Sequence, residues 1–200
     1  MPSRRRPGTN AAALRRLWAR LGIPADVAAR AAQRLHPEAK RLVGIGRAAD
    51  DGRSLRLTPA ASRAWRKMQA DAAANGINLV PLSAFRSVAR QATLIRRKLA
   101  RGQPIAAILR VSAVPGCSEH HTGRALDLGA PGHLQLEVSF ARTREFRWLK
   151  RHAGRFGFRL SYPRNNRQGI TFEPWHWCWH PSPKRSMRPP AGLEIGRAHV

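Results

Sequence analysis

The chain has 200 residues, enough for one domain with a sizeable core and too few for two large ones. A hydrophobic share of 42% is ordinary for a folded protein, and apolar runs such as residues 105–109 are far too short to cross a bilayer. With 37 Lys plus Arg against 11 Asp plus Glu the formal charge is +26, which points to polyanionic surroundings, and two cysteines cannot build a disulfide framework.

Residues 1–52 read as a basic helical N-terminal extension. Leu14, Leu17, Trp18 and Leu21 follow the i, i+3, i+4, i+7 spacing of an amphipathic helix, and a second short helix is expected over 27–35 with Asp26 as its N-cap. The extension either packs on the main domain or meets an anionic surface. Arg4, Arg5 and Arg6 look like the basic start of a signal peptide, but Arg15, Arg16 and Arg20 break the stretch where its apolar core would lie. No export signal is visible, and the sequence by itself indicates the cytoplasm.

Asp50, Asp51 and Gly52 are a turn signal, so the domain proper is expected over 53–183. Thr58 as N-cap and Pro59 at the first helical position start a helix with Ala61, Trp65, Met68 and Ala72 on one face and Gly76 as its stop. Residues 77–85 read as a strand, with Pro81 arguing for an edge or bulge. Helices are expected over 88–100, with Val88, Ala92, Ile95 and Leu99 inward, over 105–109, and over 143–156, with Phe146, Leu149, Ala153 and Phe156 inward. Residues 124–128 alternate like a short strand, and two strands, 158–162 and 170–179, close the domain. Helices and strands do not alternate in βαβ fashion, so the fold class is α+β, a small, mainly antiparallel sheet flanked by helices. Residues 184–200 form a tail, of which 194–200 reads EIGRAHV, the frame translation of a common sequencing adapter, and is set aside from fold reasoning.

Acidic residues are scarce, so their positions are informative. Between 51 and 183 there are seven, and three of them, Glu119, Asp127 and Glu173, lie near histidines in two clusters, 118–127 and 173–180. A catalytic zinc takes three protein ligands from His, Asp or Glu and leaves a fourth position for water. His120, delivered by a loop that turns at Gly123, Asp127 on the following strand and His176 on a neighbouring one supply such a set. Glu173, three residues before His176, can serve as the base if Pro174 breaks strand alternation. For His120 and Asp127 alone a hydrogen-bonded turn is the simpler reading; Glu173 and His176 reverse that balance. With His120 inward, Glu119 and His121 are expected to point away as loop residues. His180, His152, His133 and His36 have no comparable company and read as surface or structural. Trp175, Trp177 and Trp179 read as core, with one or two walling a substrate groove.

The stretch Ser118 to Asp127 resembles the SxHxxGxAxD motif, and Glu173 to His176 the ExWH motif, of the VanY-type D-alanyl-D-alanine carboxypeptidases, zinc peptidases grouped with lysostaphin-like enzymes and the hedgehog signalling domain. The likeness continues through Ser83-Ala84-Phe85-Arg86-Ser87, Arg90-Gln91, Trp148-Leu149, Phe156-Gly157-Phe158 and Ser161-Tyr162-Pro163, covering roughly residues 55–180. It implies a hedgehog/D,D-peptidase-like fold, zinc on His120, Asp127 and His176, and Glu173 as catalytic base. It also implies that Arg86 holds the substrate near its terminal carboxylate, with Ser118 and Gln91 at polar pocket positions. Many relatives carry Arg two residues after the last zinc histidine, where Cys178 stands here. Cys117 and Cys178 then either form a disulfide beside the site, remain as buried thiols, or join His120 and His176 in a structural zinc site.

The function so implied is zinc-dependent removal of the terminal D-alanine from peptidoglycan stem peptides, by a monomer without a transmembrane segment. That substrate implies the cell envelope, whose anionic polymers suit the basic N-terminus. An endolysin-type endopeptidase on the same zinc site, and a non-enzymatic polyanion-binding protein on a degenerate peptidase fold, are the alternatives; the intact ligand set makes nucleic acid the weaker partner.

Overall fold

The computed structural model describes residues 11–166 and 170–181; Arg4 to Arg6, the expected tail 184–200 and its adapter-like end lie outside these. The chain opens with helices α1 (Ala11–Arg20) and α2 (Ala25–Ala32). Leu14, Trp18, Leu21 and Ile23 from this segment are buried in one apolar cluster with Val88, Ala92, Ile95, Ile108 and Val114 of the main domain. The Trp18 indole N–H donates to the Pro115 carbonyl at 2.8 Å, so a buried polar atom is satisfied across the contact. The extension therefore packs on the domain. Trp18→Ala is expected to cost about 3–5 kcal/mol of stability by cavity formation, read as a lowered urea midpoint.

Helix α2 begins at Ala25 rather than Val27. Pro24 occupies the N-cap, and Asp26 lies in the first turn, paired with Arg30 at 2.9 Å as an i, i+4 ion pair instead of capping. Strands β1 (Val43–Arg47) and β2 (Ser54–Leu57) then form an antiparallel hairpin around the Asp50–Gly52 turn. The expected boundary at 52 falls inside this hairpin.

Helix α3 (Pro59–Ala74) buries Ala61, Trp65, Met68 and Ala72, the face read from the sequence. Thr58 holds the N-cap position in extended conformation without a side-chain cap bond. Strand β3 (Val80–Ser83) is shorter than residues 77–85 and lies on the sheet edge with a register shift between Pro81 and Ser83, because proline can give no ladder hydrogen bond. Helices α4 (Val88–Ala100) and α5 (Ile105–Arg110) follow, α4 capped by the Ser87 side chain. Helix α6 (Arg144–His152), capped by Thr143, tightens at its end into a 3-10 turn, Ala153–Phe156.

Strands β4 (Ala125–Gly129), β5 (Phe158–Leu160) and β6 (His176–Trp179) join β3 in a four-stranded sheet of order β3-β4-β6-β5, antiparallel throughout. The expected strand 170–179 is reduced to its last four residues because Pro174 begins a turn instead of continuing a ladder. One face of the sheet packs on a core that includes Leu57, Trp65, Met68, Leu126, Phe140 and Leu149. The other face, at the centre of β4 and β6, carries the site.

Candidate metal centre and substrate cavity

Three chain segments converge on β4. Asp127 pairs in register with His176 of β6 on one side and with Ser83 of β3 on the other, so Asp127 and His176 project from the same face of the sheet. His120 comes from the 3-10 turn Glu119–Thr122, which Gly123 closes in left-handed conformation with φ +62°. A Cβ there would meet Leu42 at 2.8 Å and Ala39 at 3.1 Å, so glycine is needed on both counts.

His120 Nε2 lies 3.1 Å from Asp127 Oδ2, and His176 Nδ1 lies 3.0 Å from Asp127 Oδ1. All three side chains are nearly inaccessible to solvent. The far nitrogen of each imidazole has an acceptor: His120 Nδ1 donates to the Ala84 carbonyl at 2.7 Å, and His176 Nε2 donates to Glu119 Oε2 at 2.9 Å. Each imidazole can keep the proton on its outer nitrogen while the inner one exchanges its proton for a metal, so two imidazole nitrogens and a carboxylate can converge on one cation. Burial would lower the His176 pKa, but hydrogen bonds to Asp127 and Glu119 raise it to about 10, whereas burial pushes His120 down to about 4. Against the cost of burial, the two imidazoles hold Asp127 well below the usual carboxylate range. One ligand atom from each of the three residues lies within 4.8 Å of the others, a donor set that fits zinc.

Glu173 reaches the same place by a turn. Its carbonyl accepts from the His176 N–H at 3.1 Å, Pro174 takes the second position of the turn, and the Glu173 carboxylate comes to 4.0 Å from His176 Nδ1. Burial raises its pKa to about 7. Glu173 therefore stands beside the triad and titrates near neutrality, as a proton-transfer group should. A cavity of about 350 Å³ opens in front of these groups, with Arg86, Gln91, Ser118, Tyr162 and Trp175 among its lining residues. Trp175 thus walls the cavity, while Trp177 belongs to the core.

Arg86 is the cationic wall nearest the triad. Its backbone N–H donates to the His120 carbonyl at 3.2 Å and its carbonyl accepts from His121 Nδ1 at 2.5 Å, so the 3-10 turn that delivers a triad imidazole also fixes the arginine. The Arg86 Nε has no hydrogen-bond partner although it is buried. Gln91 donates to the Ala113 carbonyl at 2.7 Å and leaves its own Oε1 without a partner, and the buried Ser118 hydroxyl caps the His120 turn. Arg86, Gln91 and Ser118 thus bring a cation and two polar side chains to the cavity wall.

One expectation is corrected. Glu119 and His121 do not point away: that expectation rests on strand-like alternation, but a 3-10 turn fans successive side chains at about 120°. Glu119 is drawn to His176 and Ser161, and His121, fully buried, accepts from the Gly116 N–H at 3.1 Å while holding Arg86. The bond to His176 holds the Glu119 carboxyl down at about 2, although burial acts the other way. Glu119→Gln is expected to weaken zinc at the triad about 10–100-fold, measured by chelator competition, because it weakens the acceptor that orients His176. Both cysteines are free, and neither joins the two imidazoles: Cys117 contacts the Ala31 carbonyl, and Cys178 turns toward Glu119. The place that structural zinc would need is taken by Asp127.

A buried His–Asp–His set on an antiparallel sheet, with a separate carboxylate alongside and a cavity in front, has the form of a mononuclear zinc centre. The chain belongs to the VanY family of D-alanyl-D-alanine carboxypeptidases, whose family model matches residues 54–182. It is similar to a D-alanyl-D-alanine carboxypeptidase of Enterococcus faecalis, with 31% identity over 116 residues, 53% of this chain and 41% of that one. Among solved structures it resembles the LdcB LD-carboxypeptidase (TM-score 0.63, 26% identity, 71% of this chain and 69% of that one). It also resembles VanYB in complex with D-alanine-D-alanine (TM-score 0.56, 26% identity, 74% and 82%). The chain spans less than half the length of the Enterococcus faecalis relative and of a Bacillus subtilis relative, YodJ, 32% identical over 121 residues.

Proposed function

We propose that the protein is a zinc-dependent D,D-carboxypeptidase that removes the terminal D-alanine from peptidoglycan stem peptides, with His120, Asp127 and His176 as zinc ligands and Glu173 as the base. The observation that carries this reading is Arg86, a half-buried arginine in the wall of the cavity that the triad also lines. A cation in the wall of a substrate cavity recruits an anion, and a peptide that ends beside the triad brings its own terminal carboxylate. Bound zinc supplies a water of lowered pKa and polarises the scissile carbonyl. Glu173 takes the proton of the attacking water and passes it to the leaving amine, a role its place beside the triad allows. Arg86 fixes the chain end, and Gln91 and Ser118 offer polar partners to the last peptide unit. An endopeptidase has no chain-end carboxylate to place on Arg86, and a binding protein has no use for a base beside the triad.

The test is a pair of stem-peptide analogues ending in D-Ala-D-Ala, one with a free carboxylate and one amidated. Selective hydrolysis of the free acid is expected, and equal rates would move the assignment to an endopeptidase. A third peptide ending in a single D-alanine after an L-centre reports the L,D activity named for one structural neighbour. The substrate implies action at the cell envelope. The basic exposed residues Arg15, Arg16, Arg20 and Arg34 support contact of the N-terminal helices with its anionic polymers.

A further inference from the structure

We propose that Glu119, Cys178 and His180 form a second metal site, behind His176 and distinct from the triad, that takes a borderline-soft divalent ion such as zinc. His176 and Cys178 are spaced by two residues in β6 and so fall on one face, with His176 turned to Asp127 and Cys178 one step further from the cavity, and His180 follows just past the strand's end, where its N–H donates to the Gly157 carbonyl. The 3-10 turn brings Glu119 to the same spot from the other side. One ligand atom from each of Glu119, Cys178 and His180 lies within 4.8 Å of the other two, so small side-chain adjustments reach tetrahedral bonding distances.

The donor set is selective. A thiolate, an imidazole and a carboxylate suit zinc, whereas calcium and magnesium take oxygen ligands. Glu119 has the capacity: its Oε2 accepts from His176 Nε2 and from the Ser161 hydroxyl, and Oε1 remains for a metal. Cys178 is 1% exposed, while Glu119 and His180 are half-buried, so the cluster is closed on the strand side and keeps a position for water. On binding, the Cys178 thiol gives its proton to solvent, and a dication then meets two negative ligands and one neutral one. The guanidiniums of Arg124 and Arg159, which act on His180, oppose a cation there, whereas burial near Glu119 keeps His36 toward its neutral form. Glu119 then stands between the two centres, oxygen-bonded to the second metal and supporting a ligand of the first.

The experiment uses the intact protein loaded with cobalt(II). The triad contains no sulfur, so a thiolate-to-cobalt charge-transfer absorption reports the second site alone. Wild type and Cys117→Ser are expected to show the band and to hold two ions per chain. Cys178→Ser is expected to lose the band, and both Cys178→Ser and His180→Ala to hold one ion. The His180 backbone bond to Gly157 does not involve its ring, so His180→Ala keeps the fold if replacing buried Cys178 does not. One ion per chain without a band in wild type, or a band that depends on Cys117 and survives in Cys178→Ser, would overturn the proposal.

Discussion

Glu173→Gln is expected to lower kcat by about 10³-fold while zinc stays bound, within the range of about 10²–10⁴ that a positioned acid–base group contributes. The amide keeps the volume of the carboxylate, so the cavity and the Pro174 turn are preserved, but it can neither accept the water proton nor return it to the leaving amine. The side chain lies 4.0 Å from His176 Nδ1, outside the mutual contacts of the triad, which is why metal content is not expected to follow activity. His176→Ala provides the contrast. It removes one of three inner donors and the partner of Glu119, so zinc and turnover are expected to be lost together. Zinc content and kcat measured on the same preparations separate the two roles, and a Glu173→Gln protein with undiminished kcat would exclude Glu173 as the base.

Arg86→Gln is expected to reduce kcat/KM on peptides with a free terminal carboxylate by about 100-fold, since charge-assisted hydrogen bonds contribute about 1.5–3 kcal/mol each. The loss should be confined to free acids. Amidated peptides, which offer no carboxylate, should be hydrolysed slowly by both proteins at similar rates, so the discrimination between the two substrates collapses. The backbone of Arg86 is held by His120 and His121 independently of its side chain, so the substitution leaves the triad in place. Unchanged discrimination in the variant would remove Arg86 from chain-end recognition.

Much of this site is legible in the sequence because its chemistry is compact. In a chain with so few acids, Asp127 and Glu173 beside histidines are conspicuous, and strand periodicity places Asp127 and His176 on one face of the sheet. Helix faces such as Ala61, Trp65, Met68 and Ala72 read directly from their spacing. The misreadings share one physical origin, the local backbone period. A 3-10 turn instead of an extended loop brings Glu119 and His121 inward, and a turn at Pro174 shortens the last strand while still delivering Glu173. Nor does a charge pattern reveal docking: the arginines of the N-terminal segment mark it as an appendage, but Trp18 and Leu21 bind it to α4 and α5. Nothing in the local sequence joins Cys178 and His180 to Glu119, because that partner lies nearly sixty positions earlier.

The most direct measurement is mass spectrometry of a stem peptide ending in D-Ala-D-Ala, incubated with zinc-loaded wild type and with Glu173→Gln at equal zinc content. Release of one D-alanine by the wild type, with little or none by the variant, is the expected result. An intact peptide in the presence of zinc-loaded wild type, or equal release by both proteins, would contradict a zinc D,D-carboxypeptidase that uses Glu173 as its base.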